Sequence, residues 1–174
     1  MSASDPTAHG PDKSRPPPSF PLPAVVYGSG GLIPFAACAV AAWLLPSGWI
    51  AALVFVQLAY GATILSFLGA VHWGVALAGQ GANGDSFATC GWTRLGLSVL
   101  PALVAWVTLG AVFAPDFLDL ALLAQMLTFA ALLAGDIQAA RRHLMPAWYP
   151  RLRQGLTLIV LLALGASLLR VVWV

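Results

Sequence analysis

"WIAALVFVQLAYGATILSFLGAVHWGVAL", Trp49 to Leu77, contains no Asp, Glu, Lys or Arg. An α-helix rises about 1.5 Å per residue, so about 20 apolar residues cross the roughly 30 Å hydrocarbon core of a bilayer. The run is longer than that. It predicts a membrane-spanning helix that tilts or projects from the bilayer. Near its end stands His72, the one histidine inside any long apolar run of the chain, with Gly69 three residues before it and Trp73 directly after.

The rest of the 174 residues follows the same pattern. The chain is 60% hydrophobic and 8% charged, with a mean hydropathy of +0.87. Soluble domains carry about 25% charged residues, so most of this surface is expected to face lipid. There is no Glu, and Lys13 is the only Lys. A net charge of +2, with no basic stripe among aromatics, gives no footprint for nucleic acid. Cys38 and Cys90 have no CxxC or Cys/His spacing, so neither a disulfide framework nor a metal site is expected.

Five apolar stretches predict an all-α, polytopic membrane protein with a five-transmembrane-helix bundle. They run at about Ala24–Leu45, Trp49–Leu77, Leu95–Phe113, Phe117–Ala140 and Leu156–Val174. Pro46-Ser47-Gly48 makes a turn so tight that the first two spans must be antiparallel neighbours. Residues 24–174 form the membrane domain. Residues 1–23 hold seven of the prolines and read as a disordered cytoplasmic tail without the layout of a removable signal peptide. Tryptophans and tyrosines at span ends, such as Trp49, Trp148 and Tyr149, fit the interfacial belt.

Positive charge sets the orientation. Arg141, Arg142, Arg151 and Arg153 fall between the last two spans, Lys13 and Arg15 in the tail, and Arg94 before the third span. All are expected on the cytoplasmic side of a bacterial inner membrane, with the C-terminus periplasmic. Trp148 and Tyr149 sit among prolines in the arginine loop, which is expected to touch anionic lipid. Arg170 alone lies toward the outer face, where it is expected to reach Asp116 or Asp119.

At about 100° per residue, Ala62, Leu65, Ser66, Gly69, His72 and Trp73 share one face of the second span. Small residues there allow close helix approach, and Ser and His can bond across it. His72, Arg94 and Asp136 are expected at one depth near the cytoplasmic end, forming the candidate polar cluster. Imidazole changes charge near neutrality and ionisable groups within spans are functional candidates, so proton coupling or anion binding competes with a structural ion pair. No nucleophile–base pair, HExxH or second buried histidine for haem is present, which leaves enzymatic and cofactor readings without support.

Four blocks together carry a family resemblance: "YGSGGLIPF", "YGATILSFLGAVHWG", "RLGLSVLPALVAW" and "GDIQAARRHLMPAWYPRLRQGLT". From Tyr27 to Val174 the chain resembles domain-of-unknown-function family 3429, small integral membrane proteins that include bacterial members and a mitochondrial transmembrane protein 69 type. The resemblance implies a polytopic membrane location and no established activity. Three functions then compete. The first is a non-enzymatic assembly or accessory subunit of an inner-membrane complex, with other membrane subunits as partners. The second is a small proton- or solute-coupled transporter using His72 and Asp136. The third is a lipid- or quinone-interacting protein.

Overall fold

The computed structural model describes residues 21–78, 87–142, 145–146 and 148–173, with the side chains of 75–78, 87–94, 97, 112 and 115 outside that description. The expected disordered tail falls almost wholly outside the described residues. Those described form a helical bundle with no strand. Its helices are α1 (Leu22–Gly30), α2 (Ile33–Leu44), α3 (Ile50–Ala78), α4 (Phe87–Thr108), α5 (Leu118–Arg141) and α6 (Trp148–Val172). Four stretches are long and apolar enough to cross a membrane: Leu22–Leu44, Ser47–Gly74, Leu118–Arg141 and Trp148–Val172. A shorter apolar stretch, Ser98–Ala111, lies in α4 and the 3-10 turn that follows it.

Three boundaries differ from those expected. The first span is two helices, because Pro34 has no N–H to give the Gly30 carbonyl. The chain turns at Gly31 and Leu32, whose N–H groups donate to the carbonyls of Tyr27 (3.2 Å) and Ser29 (3.0 Å). The helix resumes with Ala36 N–H to Leu32 O at 3.0 Å. A carbonyl freed by such a break is costly in lipid, and the Tyr60 hydroxyl of α3 donates to Gly31 O at 3.1 Å. The helix of the third span, α4, starts at Phe87, earlier than Leu95, and runs on through Pro101. The last starts at Trp148, eight residues before Leu156, because Pro150 sits in its first turn, where a missing N–H costs nothing.

Within lipid, apolar contact between helices gains little over contact with acyl chains; close packing and interhelical hydrogen bonds decide the association. Both are present. Phe35 lies at the centre, edge-on to Tyr60 (5.1 Å between ring centroids) and to Phe129 (5.9 Å), joining α2, α3 and α5. A Cβ on Gly69 would meet the Ser98 carbonyl oxygen and sit 3.1 Å from its carbon, so α3 and α4 touch backbone to backbone there. Gln125 of α5, fully buried, donates to Leu58 O of α3 (2.8 Å) and to Thr108 Oγ1 of α4 (2.9 Å). A Cβ on Gly61 would collide with the same glutamine's Oε1. Gly69 beside Ser98 and Leu58 beside Thr108 show that α3 and α4 run antiparallel. Gln57 of α3 adds a bond to Phe35 O at 3.2 Å.

Arg170 departs from its expected partners. Its Nε donates to the Ala42 carbonyl at 3.1 Å. α2 ends at Leu44 and Pro46 follows, so that carbonyl has no helical N–H to accept, and a cation suits the negative end of the helix. Asp119 accepts from the N–H of Leu120 instead (2.7 Å).

Candidate functional site

Three buried ionisable side chains meet at one end of the bundle. Asp136, on α5, is 3% exposed; His72, on α3, is 3%; Arg153, on α6, is 7%. Each carboxylate oxygen has one partner: Oδ1 lies 3.0 Å from His72 Nε2, and Oδ2 accepts from Arg153 Nε at 2.9 Å. The histidine contact is close, but the ring N–H is not aligned as a hydrogen bond. Arg153 engages through Nε rather than the two-pronged fork guanidinium offers a carboxylate, and its Nη2 is buried without a partner.

The helices place these groups by simple periodicity. Leu118, Ala121, Leu122, Gln125, Phe129, Leu132 and Asp136 are the buried positions of α5 and form one stripe. On α6, Arg153, Thr157, Val160, Leu164 and Ser167 do the same. The carboxylate is therefore the last inward position of one stripe and the guanidinium the first of the next.

Arg153 was expected in the cytoplasmic loop, in contact with lipid. It is a buried helical residue because α6 begins before it, and Trp148, Tyr149 and Arg151 join it in the first turns of that helix. Arg151, Arg142 and Arg141 are exposed, the last of these closing α5. Arg94 belongs to α4, and its side chain lies outside the described residues. The signal that identifies Arg153 is the proline-initiated helix start: once Pro150 is in the first turn, Arg153 shares a face with Thr157 and Val160.

The expected packing face of α3 is turned. Gly69, Leu65 and His72 are buried and Ala62 is half-buried, but Ser66 and Trp73 are exposed. Ser66 satisfies its hydroxyl on Ala62 O of its own helix (2.8 Å). Gly61 and Leu68 are buried in their place, so the inward arc is centred roughly 50° from Gly69 on the His72 side.

Beside the charged group is a cavity of about 450 Å³, walled by α1, α2, α3, α5 and α6. Arg153 belongs to both. Among the described residues no group of three His, Cys, Asp or Glu side chains could hold a metal ion.

Residues 20–169 match the family described as "Protein of unknown function (DUF3429)". Transmembrane protein 69 of Xenopus tropicalis is 37% identical over 152 residues, which cover 86% of this chain and 54% of the relative. Transmembrane protein 69 of Mus musculus is 28% identical over 149 residues, covering 86% and 56%. The chain thus spans about half the length of these relatives. No solved structure matches. With the family match covering nearly all of a bundle of apolar helices, the chain belongs to the DUF3429 family and is an integral membrane protein of that uncharacterised group.

Proposed function

We propose that the chain is a non-enzymatic accessory or assembly subunit of a larger inner-membrane complex in bacteria, with other membrane subunits as its partners. The observation that supports this is Asp136, which holds α3 through His72 and α6 through Arg153 at once. Its two oxygens are both committed, as befits a fixed brace between helices. Further bonds tie the helices together: Gln57, Gln125, Trp43 and Arg170 each donate to a backbone carbonyl of another helix, and Gln125 also donates to Thr108 Oγ1. A rigid body with a lipid-facing exterior is suited to docking beside other helices. Purification in gentle detergent followed by partner identification tests the proposal. Stoichiometric co-purifying subunits are expected; a homogeneous monomer or homodimer with none defeats it.

Orientation belongs to the same proposal. The exposed arginines Arg141, Arg142 and Arg151 lie at the His72–Asp136 end, and Arg170 at the other, which supports a cytoplasmic N-terminus and a periplasmic C-terminus. Single cysteines at Arg142 and Gly48 are expected to label from opposite sides, Arg142 from the cytoplasm. Labelling of both from one side refutes the arrangement.

One observation favours proton- or solute-coupled transport instead: a titratable imidazole stands 3.0 Å from a carboxylate within the membrane region. Proton flux into proteoliposomes that disappears in His72→Gln would select that reading.

A further inference from the structure

The cavity has features that the brace does not use. Its volume, about 450 Å³, falls within the roughly 300–1,000 Å³ range of small-molecule sites. Most of its wall is hydrocarbon and aromatic ring, including Phe35, Leu68 and Phe129 from the core and Leu156 from α6. Tyr27 of α1 and Phe67 of α3 also line it, yet they are 83% and 68% exposed. The opening is therefore on the lipid-facing flank of the bundle, between α1 and α3. A molecule entering there comes from the bilayer.

The α6 side carries two buried polar side chains. Arg153 and Thr157 line the cavity one helical turn apart on α6. Both are more than nine-tenths buried. Each carries a polar atom without a partner, Nη2 of Arg153 and Oγ1 of Thr157. Unmet donors in a water-poor site are costly. The Asp136 carboxylate neutralises the arginine's charge through Nε, so the remaining guanidinium donors do not demand a full anion. An oxygen acceptor, neutral or anionic, is sufficient.

We propose that this cavity is a binding site for a bilayer amphiphile, with its hydrocarbon chain along the apolar wall and an acceptor oxygen of its head held by Arg153 and Thr157. The acceptor is the carboxylate or ester carbonyl of an acyl lipid, or the ring carbonyl of an isoprenoid quinone. The site goes beyond the accessory role and stands whether or not partner subunits exist. A Cβ on Gly28 would lie 2.9 Å from Leu156 Cδ1, so α1 packs closely on α6 where the two complete the wall.

The test uses the full chain in dodecyl maltoside micelles, whose detergent carries no carbonyl, with spin-labelled stearic acid. A saturable, immobilised component of about one label per chain is expected, one occupant for this cavity. A decyl-substituted benzoquinone is titrated as competitor. Displacement at lower concentration than unlabelled stearic acid names a quinone as the natural occupant; the reverse order names an acyl lipid, and either supports the site. Thr157→Val is expected to weaken binding roughly tenfold, the loss of one buried hydrogen bond, while the melting temperature does not fall. Val71→Trp, which fills the cavity from α3, is expected to abolish binding in a protein that still elutes as a folded bundle. A spectrum identical to protein-free micelles overturns the proposal, as does unchanged binding in Val71→Trp.

Discussion

Replacing Asp136 by Asn keeps the shape of the brace and removes its charge. The consequence follows from burial. Arg153 is 7% exposed and its Nε loses the carboxylate oxygen 2.9 Å away, so a guanidinium remains uncompensated inside the bundle. At this separation the charge attraction is on the order of 5 kcal/mol for an effective dielectric of about 20. Part of that is offset by the retained amide hydrogen bond. Breaking a buried pair costs about 3–5 kcal/mol in soluble proteins; interhelical hydrogen bonds in membranes measure lower, about 0.6–2 kcal/mol. The charge left behind makes the first comparison the closer one, and we expect a loss of about 3 kcal/mol. Unfolding of the purified protein in mixed micelles by added dodecyl sulfate, followed by tryptophan fluorescence, reads it directly. The double variant Asp136→Leu with Arg153→Met removes both charges and should lose less than Asp136→Asn alone, since no buried guanidinium is left without a counter-ion and only the His72 contact is lost. An Asp136→Asn protein within about 0.5 kcal/mol of the parent would refute the reasoning.

His72→Gln should cost less than Asp136→Asn, because the imidazole makes one unaligned contact whereas the carboxylate makes two; the same titration ranks them, and the reverse order would mean His72 has a larger role in the brace. Gly69→Ala should destabilise by about 1–3 kcal/mol, since its methyl meets the backbone carbonyl of Ser98 and cannot be accommodated by a side-chain rotation. Gly155→Ala, with open space around it, should leave the melting temperature undiminished, and equal losses at the two glycines would contradict the packing described. Gln125→Leu should cost about 1–2 kcal/mol by removing bonds to Leu58 and Thr108 together; no change in thermal stability would show that lipid-facing contacts carry the fold instead.

Membrane residence and the helical class were legible in the sequence because both are properties of one dimension. Backbone groups within lipid must be satisfied without water, and an uncharged apolar run as long as Trp49–Leu77 does so as a helix, whose length is read by counting. Even the break in the first span has its local cause in Pro34. Tertiary structure decided which polar groups meet. Periodicity around α3 orders the side chains but has no origin, and only the positions of α4, α5 and α6 show that the inward arc includes Leu68 and His72 and leaves Ser66 and Trp73 outside. Arg153 shows the same limit. Hydropathy starts the last span after it, because a charged residue lowers the average of any window that contains it. The helix starts before it, because burial of the guanidinium is made affordable by a carboxylate that is distant in sequence and 2.9 Å away in space. That pairing depends on where two helices begin and how each is rotated, quantities that packing alone determines.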